Sequence, residues 1–98
     1  MSHKIKISAE AKQDLNDIWD YIANRSITNA DRYLDRLLRR IERLGDSPLV
    51  LGNPRDYLVP GLRGSIEGSH VIFYMVYQDR IVIIRILHQK QDHPSYFD

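Results

Sequence analysis

Arg85 lies between Ile83, Ile84, Ile86 and Leu87, a permanent charge inside an apolar run. Buried and unpaired it would be very costly, so it must reach water or a carboxylate. Two readings follow. It pairs with Glu67 or with an acid of the N-terminal region, or it stands on a face that binds a partner. Arg63, directly after Pro60-Gly61-Leu62, carries the same ambiguity. His88 closes the run, where its ring would follow the apolar face; a hydrogen-bonded structural role stands beside a binding role. His70 is expected half-exposed at the opposite end of the same hairpin. His88, Asp92 and His93 are metal-ligating types, but their spacing matches no recognised signature. No metal and no cofactor is therefore expected. Neither a Ser/His/Asp or Cys/His arrangement nor a glycine-rich phosphate loop is visible.

The element that must hold these residues is the stretch SHVIFYMVYQDRIVIIRILH, Ser69–His88. Two short apolar runs rich in Val, Ile, Phe and Tyr suit a pleated surface, and Gln78-Asp79 breaks them, which predicts a β-hairpin. Setting Tyr77 opposite Arg80 sorts the side chains. Val71, Phe73, Met75, Val82, Ile84 and Ile86 form a wholly apolar face, expected to meet the core. His70, Ile72, Tyr74, Val76, Ile81, Ile83, Arg85 and Leu87 form a mixed face, expected to carry function.

Upstream, Lys4–Ile7 alternates polar and apolar and predicts an edge strand whose lysines discourage pairing. Ser8 is placed as a helix N-cap. Ala11, Leu15, Ile18, Trp19 and Ile22 recur at helical spacing and predict a helix over Ala9–Asn24 with Trp19 in the core. Thr28 with Asp31 has capping-box spacing. Ala30, Tyr33, Leu34, Leu37, Leu38, Ile41 and Leu44 then predict a second helix over Asn29–Leu44, stopped by Gly45. The short link makes the pair antiparallel. Ser47–Gly61 reads as a connector, with Leu49, Val50, Leu51, Leu58 and Val59 pinning it to the core edge. Leu62–Glu67 reads as a weaker strand, and the tail Gln89–Asp98 as irregular. The order β-α-α-β-β-β argues an α+β fold: an N-terminal strand and an antiparallel helical hairpin packed on one face of a small, mostly antiparallel sheet.

The chain has 98 residues, no cysteine and a net charge of +1. That length predicts a single domain over 1–98, and the absent cysteines leave no disulfide or cysteine-based zinc site. No signal-like segment or membrane-length apolar run is present, so a cytoplasmic protein is expected. Charge is uneven. Glu10, Asp14, Asp17 and Asp20 outweigh Lys12 and Arg25 over residues 8–25; Arg32, Arg36, Arg39, Arg40 and Arg43 outweigh Asp31, Asp35 and Glu42 over residues 28–45. Solvated complementary helix faces, or an arginine face for an acidic partner, both fit.

The pieces AKQDLNDIWDYIA, ADRYLDRLLRRIERLGDSP, PGLR and HVIFYMV with IVIIRILH, in that order, resemble the ParE branch of the RelE/ParE toxin superfamily, over about Ile5 to Asp92. The resemblance implies the fold derived above. It also implies the toxin half of a type II toxin–antitoxin pair, of the kind tied to plasmid stabilisation: a non-enzymatic inhibitor of DNA gyrase, neutralised by a ParD-like antitoxin, without sequence-specific nucleic-acid binding of its own. RelE-type relatives share the fold and cut messenger RNA on the ribosome, so fold alone does not choose. A ribonuclease would need groups that move protons and stabilise phosphate charge; the candidates are Arg63, Arg85, His88, Lys90 and Tyr96. The arginine expected ahead of the central strand in RelE-like enzymes falls near Ile66–Glu67, which does not help bind phosphate. A third reading is a degenerate, non-toxic member that still binds antitoxin. For target binding the candidates are Arg63, Arg85, His88, Lys90, His93 and Tyr96. For antitoxin binding they are Arg36, Arg40, Tyr74 and Arg85, on the edge between the helical hairpin and the sheet.

Overall fold

The computed structural model describes residues 3–97. Its elements are β1 (Lys4–Ile7), α1 (Ala9–Ala23), α2 (Ile27–Asp46), β2 (Asn53–Pro54), β3 (Arg63–Glu67), β4 (His70–Val76) and β5 (Arg80–His88), followed by a 3-10 turn over His93–Tyr96. The sheet order is β1-β5-β4-β3-β2; β1 runs parallel to β5 and the other pairs are antiparallel. The α+β reading holds. The sequence did not reveal β2, two residues of the connector that pair with Arg63 and Gly64.

Ser8 does cap α1: its Oγ accepts from Ala11 N at 3.0 Å. The cap of α2 is Ser26, whose Oγ accepts from Asn29 N at 3.1 Å, so the helix starts before the expected Thr28–Asp31 box. Asp31 instead accepts from Trp19 Nε1 at 2.9 Å. Trp19 is thus a half-buried clasp between the helices, not a core residue. Gly45 does not stop α2. Its carbonyl takes His3 N–H at 2.7 Å, and a Cβ there would come within 2.9 Å of Ile5. The glycine lets the start of the chain lie against the helix end. Gly68, at φ +59°, opens the two-residue turn joining β3 to β4.

Apart from Ile86 and Leu87, which lie on the sides expected of them, the two faces of the hairpin are the reverse of the expectation. Ile72, Tyr74, Ile81, Ile83 and Ile86 pack under the helices with Ala11, Leu37, Ile41 and Leu44. Val71, Phe73 and Leu87 pack on the other side with Leu62, covered by Leu58 and Val59 of the connector and Phe97 of the tail. Both faces are covered, so an apolar face did not by itself identify the helix side. Arg85 misled the assignment because its charge is matched beneath a helix. A β-bulge completes the arrangement. The expected register runs from Val76–Ile81 to Tyr74–Ile83, then slips by one residue so that Phe73 opposes Arg85. The slip returns Ile86 to the helix side after Ile83. Ser8 ties the bulge down, its Oγ donating to the Ile84 carbonyl at 2.8 Å and its N–H to Ile83 O at 2.9 Å.

Of the connector residues expected to pin it, Leu51, Leu58 and Val59 do pack on the core clusters. Leu49 and Val50 do not: they are 66% and 81% exposed. The tail has more order than its composition suggested. Phe97 and His93 each meet Phe73 edge-on at 5.1 Å. Residue 98, the end of that predicted segment, lies outside the described residues.

Candidate functional site

Arg85 finds its carboxylate on α1. Its Nε and Nη2 donate to the two oxygens of Asp14, each at 2.8 Å, and Ile86 N donates to the same carboxylate at 2.8 Å. Asp14 lies three residues after Ala11 and four before Ile18, within the apolar stripe of α1. It is buried, and that position was the missed signal. The Asp14 carboxylate holds the Arg85 pKa above its ordinary value, against the opposing effect of burial. The Tyr96 ring lies over the guanidinium, 4.9 Å from its carbon.

Next to this pair the cross-strand partners His70 and His88 meet edge to face, with ring centroids 5.3 Å apart. Tyr33 Oη is hydrogen-bonded to His70 Nδ1 and accepts from Ser69 N at 3.1 Å. Burial pushes the His70 pKa down to about 4, and His88 acts in the same direction. Burial also pushes the Tyr33 hydroxyl up. Neutral imidazole and neutral phenol are therefore the forms present at pH 7. His88 is the hub of the tail: its N–H donates to Gln91 Oε1, its Nδ1 accepts from Lys90 N, and its carbonyl meets His93 Nε2. Gln91 Nε2 then donates to Tyr96 Oη at 2.8 Å.

These residues form one end of a groove of about 500 Å³ between α1, the start of α2 and the β4–β5 end of the sheet. Ile18, Tyr21, Ile22 and Tyr33 line its apolar side, and Asp17, His70, His88 and Gln91 its polar side. A second hollow of about 260 Å³ shares Asp17, Ile18, His70 and Gln91 and reaches Arg85 and Tyr96. Tyr21 is 82% exposed at the groove rim. Ile18 and Ile22 were read from sequence only as helix stripe and Tyr21 was not singled out, because periodicity does not distinguish a core face from an open groove.

The candidates therefore divide. Arg85, His88, His93 and Tyr96 are brought together, with the backbone of Lys90. Arg63 is elsewhere: on β3, its guanidinium donates to the Gly52 and Leu49 carbonyls at 2.8 and 3.2 Å and holds the connector. Arg36 and Arg40 converge on Glu67, at 2.8 and 3.3 Å. Tyr74 is a correction: it is fully buried, its hydroxyl donates to Pro48 O, and it offers no surface to an antitoxin. Among the described residues no group of three His, Asp or Glu side chains is placed to hold a metal.

The model of the ParE toxin of type II toxin–antitoxin systems matches residues 5–93. The chain is 40% identical to Toxin ParE1 of Caulobacter vibrioides over 88 residues, covering 89% of this chain and 90% of that one. It is 34% identical to Toxin RelE3 of the same organism over 86 residues, covering 86% and 91%. In structure it is similar to a chain of the chromosomal ParDE system from P. aeruginosa, with TM-score 0.76, 22% identity and coverage of 89% and 96%. It is also similar to a chain of the RelBE2 toxin–antitoxin complex from Mycobacterium tuberculosis, with TM-score 0.73, 18% identity and coverage of 91% and 100%.

Proposed function

From the premise that the chain belongs to the ParE toxin family of type II toxin–antitoxin systems, we propose that it is a cytoplasmic, non-enzymatic inhibitor of DNA gyrase, held inactive by a ParD-like antitoxin. The observation that carries the reading is the state of Arg85. Its Nε and Nη2 are engaged by Asp14 and its flat face lies against Tyr96. A guanidinium so engaged is poorly placed to meet a scissile phosphate, and Arg63, the other arginine of the candidate set, lies on a different part of the sheet. What is open is the apolar groove with Tyr21 at its rim, the composition of a protein-binding site. The antitoxin would fill this groove with apolar anchors and bring acidic side chains toward Arg36, whose guanidinium lies 5.6 Å from the centre of the Tyr33 ring. Inhibition would follow from tighter binding to gyrase with cut DNA than to the resealed form.

The likeness to Toxin RelE3 favours one second reading, a ribosome-dependent ribonuclease using His88 and Tyr96. Expression of the chain alone in bacteria separates the readings. The proposal expects DNA breaks and altered plasmid supercoiling with intact messages, relieved by the cognate antitoxin. Cut messages with normal supercoiling would overturn it, and normal growth with folded protein present would mark a non-toxic member.

A further inference from the structure

The outer face of α2 has no part in the groove. Arg32, Arg36, Arg39 and Arg43 follow one another at intervals of four, three and four residues. At about 100° and 1.5 Å per residue they fall within roughly 60° of arc and span about 16 Å along the helix. All four are exposed. Arg32 and Arg43 make no ion pair or side-chain hydrogen bond among the described residues. Arg39 meets Asp35 of its own helix, at 2.9 Å, and Arg36 reaches Glu67. Exposed pairs of that kind are weak and screened by salt, so a stronger anion displaces them.

The neighbours of the stripe decide which anion. Thr28, Asn29, Asp35 and Glu42 flank it and Asp46 closes its C-terminal end; none is apolar, and the last three are acids. Leu37, Ile41 and Leu44 point into the core. The exposed Leu38 lies more than about 100° round the helix from the stripe. A protein partner needs an apolar centre to exclude water, and this face has none. A phosphodiester backbone needs only cations, and guanidinium matches phosphate oxygens two at a time. About five phosphates of one duplex strand fall within about 16 Å measured along the duplex axis.

We propose that the arginine stripe Arg32–Arg36–Arg39–Arg43 binds the backbone of double-stranded DNA without sequence preference. The choice of DNA as the source of phosphate rests on the proposed action at a DNA-bound enzyme; the stripe itself does not. In that setting the stripe contacts the DNA while another surface contacts the enzyme.

The test is fluorescence anisotropy of labelled duplexes of about 20 base pairs, titrated with the full chain between about 25 and 200 mM salt. The expected result is binding at low salt, equal for two unrelated sequences, with a slope of log K against log salt of about −2 to −4. The double variant Arg32→Glu, Arg43→Glu should bind at least about tenfold more weakly and lose about 2 from that slope, with wild-type circular dichroism and thermal midpoint. No binding at about 25 mM salt, binding unchanged in the double variant, or tighter binding to duplex RNA than to DNA would each overturn the proposal. The assay contains no gyrase, so it is independent of the target assigned above.

Discussion

Two carboxylates join the helices to the sheet, and they do opposite things. Asp14 reaches from α1 to β5 and is almost wholly enclosed, with 10% of its side chain exposed; it makes three hydrogen bonds of 2.8 Å, two of them to Arg85. Glu67 reaches from β3 to α2 and meets Arg36 and Arg40, but Arg36 is 57% exposed. The contrast is one of solvent. In the Asp14 pair the enclosed carboxylate depends on Arg85 and the Ile86 N–H, and in return holds the strand end in place. In the Glu67 cluster water competes for the Arg36 contact, and Arg36 remains available to an incoming partner, while Arg40, 21% exposed, is held by Glu67 and Ser65. The same residue types thus hold β5 in place under α1 and leave Arg36 exposed beside β3.

The sharpest way to break this contrast is Asp14→Ala. It leaves the Arg85 charge and the Ile86 N–H without their acceptor, and the expected loss is about 3–5 kcal/mol, read as a lower midpoint in urea unfolding. A loss below about 1 kcal/mol would show that water reaches Arg85 freely. Tyr74→Phe comes next. It removes a buried hydroxyl that donates to Pro48 O, and about 1–3 kcal/mol should be lost without change in antitoxin binding. Weakened binding at unchanged stability would restore Tyr74 as a contact residue.

Acid sharpens the comparison further. The His70 pKa is about 4 in the folded protein against 6.5 for a free histidine, chiefly through burial. The unfolded chain therefore binds the proton more readily. Stability from this group is complete above pH 6.5 and falls as pH drops from 6.5 toward 4. His70→Gln should flatten the pH dependence of the thermal midpoint in that window, and an unchanged slope would assign it to other groups. A smaller effect is expected at Glu67, whose partner Arg36 is 57% exposed: in the same urea unfolding Glu67→Gln should cost less than Asp14→Ala, and an equal cost would remove the contrast.

How far the sequence reached follows the same division. The helical hairpin was legible because its stripes have one exposed side, and Ser8 capped α1 as read. The β4–β5 hairpin was legible as strands, yet most of its residues, Ile86 and Leu87 apart, were assigned to the wrong face. Phe73 and Ile72 are both fully buried, on opposite sides, so alternation carried no signal. The Arg85–Asp14 pair joins positions 71 residues apart, and the bulge that brings Ile86 back to the core is set by Ser8 at the other end of the chain. Such long-range matches have no local pattern. The tail was unreadable for the same reason, since Phe97 is ordered by Phe73 and not by its own neighbours.

In the proposed function this chain acts by binding gyrase, with Arg85 a structural residue and not part of a ribonuclease centre. Its most direct test sets the purified chain against two purified systems in parallel: gyrase with supercoiled plasmid, and ribosomes translating a defined message. The account predicts accumulation of cleaved plasmid in the first and an intact message in the second. Cleavage of the message with gyrase turning over normally would contradict it.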